Sequence, residues 1–423
     1  MRATPFATHE VATATPTITP RGAEPMSRRR YAQLVLVLGS LIALGPLTID
    51  MYLPALPSLG RDLQATDAAV QATLTGMLVG LGVGQLLIGP ISDAVGRRIP
   101  LIVGVSAHVV TSVLCAVAPD VLTLTAVRTL QGLAGAAISV VAMAIVRDLF
   151  SGLAAAKLLS RLMLVMGVAP VLAPTLGGQL LLLTSWRGIF VALAVAGLLL
   201  VGVAALGLRE TLPVHRRRSA HPLATLRTYR SLFRDRAFVA LALVGGLMFA
   251  AMFAYISGSP FVLQGLYGLD EQTFALVFGA NAVGIVVMTQ VNPLLLRRWS
   301  PRQVVTAAVL TASLAAMALV VATATGTGGI VGVLAPLFVI IAVCGLSFPN
   351  VPALALSRHG EAAGTAAALL GASQFAIGGL AAPLVGLLGT SSAVPMAAVM
   401  LTVTSVAAVL LLTVVRRDAA RTA

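Results

Sequence analysis

The sequence predicts an all-α integral membrane protein, with twelve transmembrane helices in two pseudo-symmetric six-helix bundles. Three observations predict it: the composition, the spacing of apolar runs and the placement of the arginines. Of 423 residues, 58% are apolar and 10% charged, where a soluble domain has about 45–50% and about 25%. A mean hydropathy of +0.99 leaves too little polar surface to coat a soluble body. That excludes a cytosolic enzyme, a secreted disulfide scaffold and a disordered chain.

A bilayer core takes roughly 20 apolar residues per helix. Twelve such runs lie near 32–53, 70–90, 99–118, 122–146, 159–183, 187–208, 237–263, 273–296, 304–325, 330–354, 363–388 and 393–415. The first has no small-residue cleavage site after it and reads as a span that stays. The residues before it, 1–30, are rich in Thr, Pro and Ala without periodicity, and read as a disordered tail. Residues 416–423 form a short tail at the other end.

The arginines set the orientation. With the N-terminus inside, 25 of the 28 basic residues fall on the inner side. Only Arg61 and Arg187 fall outside, and Arg128 lies within a span. Both termini are therefore expected in the cytoplasm, at the inner or plasma membrane. The net charge of +14 is assigned to loops facing anionic lipid, not to nucleic acid. Cys115 and Cys344 sit inside apolar runs, so there is no disulfide framework.

Domain boundaries follow from the longest inner loop. Residues 31–208 form one six-helix bundle and 237–415 the other, joined by residues 209–236. In that loop Leu223, Leu226, Tyr229, Leu232 and Phe233 have helical spacing, with Arg227, Arg230 and Arg234 between them. An amphipathic helix on the inner leaflet and a solvated linker are the two readings. The halves echo each other: Gly89-Pro90…Arg97-Arg98 matches Asn292-Pro293…Arg297-Arg298. Likewise, Pro174-Thr175-Leu176-Gly177 matches Pro383-Leu384-Val385-Gly386. Duplicated halves place a substrate site at their interface, with alternating access.

Four groups of residues carry the chemistry. The loop Gly89-Pro90-Ile91-Ser92-Asp93-Ala94-Val95-Gly96-Arg97-Arg98 is expected to end the second helix at Gly-Pro. Asp93 would then accept from nearby arginines, so that Gly89, Asp93, Gly96, Arg97 and Arg98 form an inner gate. Arg128 is the basic residue deep in a span. An intramembrane charge costs several kcal/mol unless paired and usually marks an ion or proton path; snorkelling to the outer interface is the competing reading. Asp50 is the acid of the first span, and it comes out at a depth similar to that of Arg128. In the fifth span Gly167, Pro170, Pro174, Gly177 and Gly178 fall within roughly 100° of one another on the helix. Such a seam lets a neighbouring helix approach closely; ordinary close packing is the alternative. A similar seam at Gly76, Gly80 and Gly84 reads as packing.

These strings resemble the major facilitator superfamily from about residue 32 to 415. The loop string looks like that superfamily's loop between helices 2 and 3. Arg128-Thr129-Leu130-Gln131-Gly132 resembles the motif of proton-coupled members. Gly167-Val168-Ala169-Pro170 through Pro174-Thr175-Leu176-Gly177-Gly178 is similar to the exporter motif, with Ala169 where many members have Gly. Thr48-Ile49-Asp50-Met51-Tyr52-Leu53-Pro54, Arg147-Asp148-Leu149-Phe150 and Trp186-Arg187-Gly188-Ile189-Phe190 look most like the bicyclomycin-resistance/CflA-type drug:proton antiporters.

The resemblance implies a monomeric exporter that exchanges protons for a small amphiphilic drug or metabolite. Bicyclomycin, chloramphenicol-like compounds and sulfonamides are within its range. In the family fold the first and fourth helices are neighbours, so Asp50 and Arg128 become a proton-coupling pair. Tyr52, Gln131, Met252, Tyr255, Asn281 and Gln374 are the candidate substrate contacts. A symporter for a small metabolite is the runner-up, and a non-transporting receptor or scaffold a more distant one. The scattered histidines have no metal-ligand or catalytic spacing, so no metal, cofactor or enzyme chemistry is expected. Nor is there a Gly-x-x-x-x-Gly-Lys-Ser/Thr loop for ATP.

Overall fold

A computed structural model describes residues 28–217, 222–357 and 363–415. Among the described residues there is no strand, and twelve helices are long and apolar enough to cross a membrane. The elements are α1 (Arg28–Asp50), α2 (Leu56–Asp62), α3 (Asp67–Val95), α4 (Arg98–Ala116), α5 (Val121–Leu149), α6 (Gly152–Leu181) and α7 (Trp186–Gly207). They continue as α8 (Pro222–Arg234), α9 (Arg236–Pro260), α10 (Glu271–Leu295), α11 (Pro301–Thr325), α12 (Gly329–Leu356), α13 (Ala363–Leu387) and α14 (Val394–Leu410).

The chain's few acids do local work at helix starts. Asp120 accepts from Thr123 N at 2.8 Å, Asp235 from Ala237 N at 2.9 Å and Asp270 from Thr273 N at 2.6 Å. Ser300 and Gln303 form a reciprocal capping box at α11. These satisfy amides that a helix leaves unpaired at its N-terminus.

Packing follows the small residues. α3 lies on α5 because Gly76, Gly80 and Gly132 have no side chain. A Cβ on Gly80 would run into the Thr129 carbonyl, and one on Gly132 into the Met77 carbonyl. α4 packs between α5 and α7, and α1 packs on α5, α6 and α7. In the second group α9 packs on α12, α13 and α14, and α12 packs on α10 and α11. The two groups meet along α3–α13 and α6–α10.

Several expectations need correction. Pro90 does not end the second span. α3 runs through it to Val95, because a proline removes one helical hydrogen bond and leaves the rest. The stop comes at Gly96, whose φ of +111° suits glycine. The first span ends at Asp50, and a 3-10 turn (Leu53–Ala55) leads into α2. Residues 28–30, expected in the tail, already belong to α1; residues 1–27 and 416–423 lie outside the described residues. In the central connection the helical spacing is realised as α8, which packs against α9 and α13 and buries Leu232, while Phe233 stays 62% exposed.

Candidate functional site

Between the two helix groups lies a cavity of about 1030 Å³. Its far wall carries Asp50, the last residue of α1. The cavity's apolar lining includes the methionines Met143, Met163, Met166 and Met252 and the aromatic rings of Phe249, Phe253, Phe278, Phe348 and Phe375. At the arginine-rich end the walls are Asp93, Arg97 and Arg147. At the arginine-poor end the halves are tied together. Gln264 Nε2 donates to the Pro54 carbonyl at 3.1 Å, Gln272 Nε2 to the Gly178 carbonyl at 3.1 Å, and the Thr390 hydroxyl to Asp67. No hydrogen bond between the halves joins the arginine-rich rims among the described residues.

Asp50 is buried, with 5% of its surface exposed. Its carboxylate makes no hydrogen bond or ion pair among the described residues. The sequence expectation of an Asp50–Arg128 pair is thus not realised as a contact. The reason is helical geometry. Arg128 Nη1 donates to the carbonyl of Thr48 at 3.0 Å. Thr48 and Asp50 are two residues, or about 200°, apart around the helix, so the two face different neighbours.

Arg128 does not snorkel, because it is 0% exposed. Its Nη1 also donates to Gln131 Oε1 at 2.7 Å. Its guanidinium lies over the Tyr52 ring at 4.4 Å and the Phe190 ring at 5.6 Å. Arg128 Nε and Nη2 have no hydrogen-bond partner among the described residues. The charge is held chiefly by π-faces and one forked nitrogen, an arrangement suited to a planar cation.

The expected substrate contacts divide. Met252 and Tyr255 line the cavity. Tyr255 stacks on Phe278, with centroids 5.3 Å apart and planes at 19°. Asn281 stands behind it and donates through Nδ2 to the Tyr255 hydroxyl at 3.0 Å. Tyr52, Gln131 and Gln374 do not line the cavity. Tyr52 is fully buried beneath Arg128, with its hydroxyl 3.1 Å from Thr73 Oγ1. Gln131 bridges Arg128 and Ser112. Gln374 packs over Gly245, at the α9–α13 contact. The polar ends of Tyr52 and Gln131 found partners inside the bundle, which periodicity alone does not foretell.

The inner loop assembles around Arg97. Its Nη1 donates to Asp93 Oδ1 at 2.5 Å and Ser92 Oγ at 2.8 Å, and its Nε to Asp148 Oδ2 at 2.8 Å. Gly89 borders the cavity. Glu210, which sequence reasoning missed, accepts from the backbone N–H groups of Arg97 (2.8 Å), Arg98 (3.2 Å), Thr211 (2.9 Å) and Leu212 (2.9 Å). A side chain at Gly96 would strike the Glu210 carboxylate and Arg217 Nη2. Burial opposes ionisation of Glu210, yet these N–H groups hold its carboxyl below the usual range. Arg98 Nη2 caps the end of α7 at the Ala205 carbonyl, 2.7 Å away. Asp148 was visible in the string Arg147-Asp148-Leu149-Phe150; Glu210 follows a span with no motif to flag it.

The fifth-span seam is shared between two neighbours. A Cβ on Gly178 would lie 3.6 Å from Ala275 Cβ and 3.3 Å from the Glu271 carbonyl oxygen. One on Gly167 would lie 3.1 Å from Val286. Both partners belong to α10, in the second half. Pro170 borders the cavity and Pro174 is buried. Gly177 instead packs on the Met51 carbonyl, in its own half. Gly284 and Gly371 lie away from the seam: Gly284 faces Phe338 and Ala342, and Gly371 faces Gln85 on α3.

A two-part helical bundle with a central cavity, closed at one end and open at the other, is the architecture of a membrane carrier. The chain belongs to the major facilitator superfamily, whose family model matches residues 38–383. It is 40% identical over 383 residues to the uncharacterized MFS-type transporter YdgK of Bacillus subtilis, covering 89% of this chain and 93% of that one. It is 30% identical over 371 residues to the bicyclomycin resistance protein homolog of Haemophilus influenzae, covering 86% and 91%. In fold it resembles the xylose transporter XylE of E. coli in a partially occluded inward open conformation. The TM-score there is 0.72 at 14% identity, over 92% of this chain and 98% of that one.

Proposed function

We propose that this transporter exports small amphiphilic molecules, antibiotics among them, in exchange for protons, acting as a monomer in the cytoplasmic membrane with both termini inside. One observation carries the reading. Asp50 stands on the wall of a cavity lined with methionine and aromatic side chains, with no hydrogen-bond or ion-pair partner among the described residues. A carboxyl in such a place can hold a proton in one state of the carrier and release it in another. Methionine and aromatic walls accept varied apolar shapes. Arg128 is a fixed positive charge one helix away. The similarity to a relative named for bicyclomycin resistance supports the drug side of the exchange.

The test uses a bacterium stripped of its own pumps and a panel of bicyclomycin, chloramphenicol and a sulfonamide. At least one compound should lose potency when the chain is expressed. In inverted vesicles that compound should drive proton release, and Asp50→Asn should abolish the release while membrane insertion is unchanged. Proton release at the wild-type rate from Asp50→Asn would remove Asp50 from the mechanism. Loss of potency without proton release would leave export and reject antiport.

A further inference from the structure

His108 on α4 belongs to no motif, yet it sits in the most polar part of the first half. It is 1% exposed. Its Nε2 lies 2.8 Å from Thr48 Oγ1 and its Nδ1 3.5 Å from Ser112 Oγ. Ser112 Oγ accepts from Gln131 Nε2 at 2.8 Å, Gln131 Oε1 accepts from Arg128 Nη1, and Arg128 Nη1 returns to the Thr48 carbonyl. The five residues close a ring that joins α1, α4 and α5, passing through the Thr48 and His108 carbonyls as well as the side chains.

The direction of each bond is decided by counting protons. A threonine hydroxyl has one proton. Thr48 gives it to the Leu44 carbonyl, at 2.6 Å. Its oxygen is therefore the acceptor towards His108, and Nε2 must carry the hydrogen. Ser112 spends its own proton on the His108 carbonyl, at 2.7 Å. Nδ1, 3.5 Å from Ser112 Oγ, then exchanges no hydrogen with it, so the ring of hydrogen bonds closes through the His108 carbonyl and the neutral imidazole needs only its Nε2 hydrogen. α7 seals that edge with a glycine, since a Cβ on Gly197 would come within 3.3 Å of Nδ1.

Thr48 is two residues before Asp50 and two after Pro46. Pro46 has no N–H to donate to the Ile42 carbonyl, so α1 lacks one helical hydrogen bond just there. The last turn of α1, which carries Asp50 into the cavity, is held from the side by two contacts on one residue. Arg128 grips the Thr48 carbonyl and His108 its hydroxyl. We propose that His108 is a positioning residue, a neutral imidazole fixed in its Nε2–H form that holds Thr48 and so sets where Asp50 meets the cavity. This rests on the reading of Asp50 as the proton carrier. The charged group that acts on His108 is Arg128 on α5.

The rival role is a proton relay. The imidazole borders a second cavity of about 20 Å³, whose walls share Ile42, Gly45, Gly135 and Ser139 with the large one. A space of that size accepts one water, so the rival is physical and the experiment must separate the two.

Ring-15N-histidine NMR of the whole protein in nanodiscs, with His108→Gln as the assignment control, reads the tautomer directly. The Nε2–H form should persist from about pH 5 to about pH 9, a range that brackets an ordinary histidine's titration. An imidazolium signal titrating in that range, or an Nδ1–H form, overturns the proposal.

The second measurement is the rate at which dicyclohexylcarbodiimide labels Asp50, followed by mass spectrometry of its peptide. Gln at position 108 can place an amide nitrogen where Nε2 was; Asn cannot reach it. His108→Gln should label like the wild type. His108→Asn and Thr48→Val should each change the rate by about fivefold, the factor carried by one hydrogen bond of ordinary net strength. Because both act through one contact, the double variant should show no further change. Additive effects, or a His108→Asn rate equal to the wild type in a folded protein, overturn the proposal. Absence of any labelling at Asp50 in the wild type overturns the Asp50 reading and this positioning role with it. The NMR result tells that failure apart from a wrong tautomer.

Discussion

A single buried arginine shows how residue chemistry constrains this carrier. Arg128 has a planar cation sandwiched against Tyr52 and forked between Thr48 and Gln131. Lysine keeps the charge and has protons enough for both acceptors, but it lacks the plane that lies over the Tyr52 and Phe190 rings. We expect Arg128→Lys to express normally and to lower the transport rate at least tenfold. A desolvated cation–π contact is worth about 2 kcal/mol, and a factor of ten corresponds to about 1.4 kcal/mol. Transport of the panel compound in vesicles, normalised to protein, measures it; a rate within twofold of wild type would show that charge alone suffices. The sequence singled out Arg128 and Asp50 correctly as the unusual intramembrane charges, because an ion in an apolar run is conspicuous by cost. It could not show that Thr48 O, not Asp50, would meet the guanidinium. That depends on which way α1 is turned about its axis.

At the scale of elements, the connection between α3 and α4 is a short loop stabilised from a distance. The loop's own residues supply Arg97 and Asp93, but Asp148 ends α5 and Glu210 follows α7. Glu210 gathers four backbone N–H groups and is held below the usual carboxylate range. A carboxyl depressed in the folded state contributes stability above its unfolded pKa, about 4.3 for glutamate. That contribution is lost as the pH falls through the lower, folded value. We therefore expect the amides of Arg97 and Arg98 to be protected from hydrogen exchange at neutral pH and to lose protection in acid, below about pH 4. Glu210→Gln should lose much of that protection already at pH 7, by roughly tenfold, as befits bonds to a charged acceptor. Unchanged exchange in that variant would mean the loop holds itself. The Gly-Arg-Arg string was legible because its spacing is local. Its acidic support was not, because Glu210 lies more than a hundred residues away in the chain.

For the whole molecule, the decisive contact is between halves. α6 and α10 approach at Gly178 and Ala275, where a Cβ on the glycine would lie 3.6 Å from its neighbour's. Disulfides need Cβ atoms about 3.5–4.5 Å apart. With Cys115 and Cys344 first replaced, the pair Gly178→Cys and Ala275→Cys should crosslink readily in this conformation. Transport should then stop, and reductant should restore it. A carrier that turns over at full rate while crosslinked would show that this end of the molecule does not separate during the cycle. Crosslinking between Gly177→Cys and α10 should fail, since Gly177 faces Met51.

The sequence by itself determined the twelve spans, the bundle class, the charge asymmetry and the family strings. Each rests on properties that are local along the chain: apolar length, arginine placement and motif spacing. It also named Asp50, Met252 and Tyr255 among the candidates that reach the cavity. Only the tertiary structure decided which polar groups face that cavity and which are used up inside the bundle. Tyr52 and Gln131 went to internal partners, and Gln374 packs at the α9–α13 contact. Glu210, and a ring closed through His108 and Ser112, came in unannounced. The physical reason is that a buried polar group must find a partner. Which partner it finds depends on the rotation and approach of helices far apart in sequence, and the glycines at Gly80, Gly132 and Gly178 set that approach by leaving backbone to touch backbone or side chain.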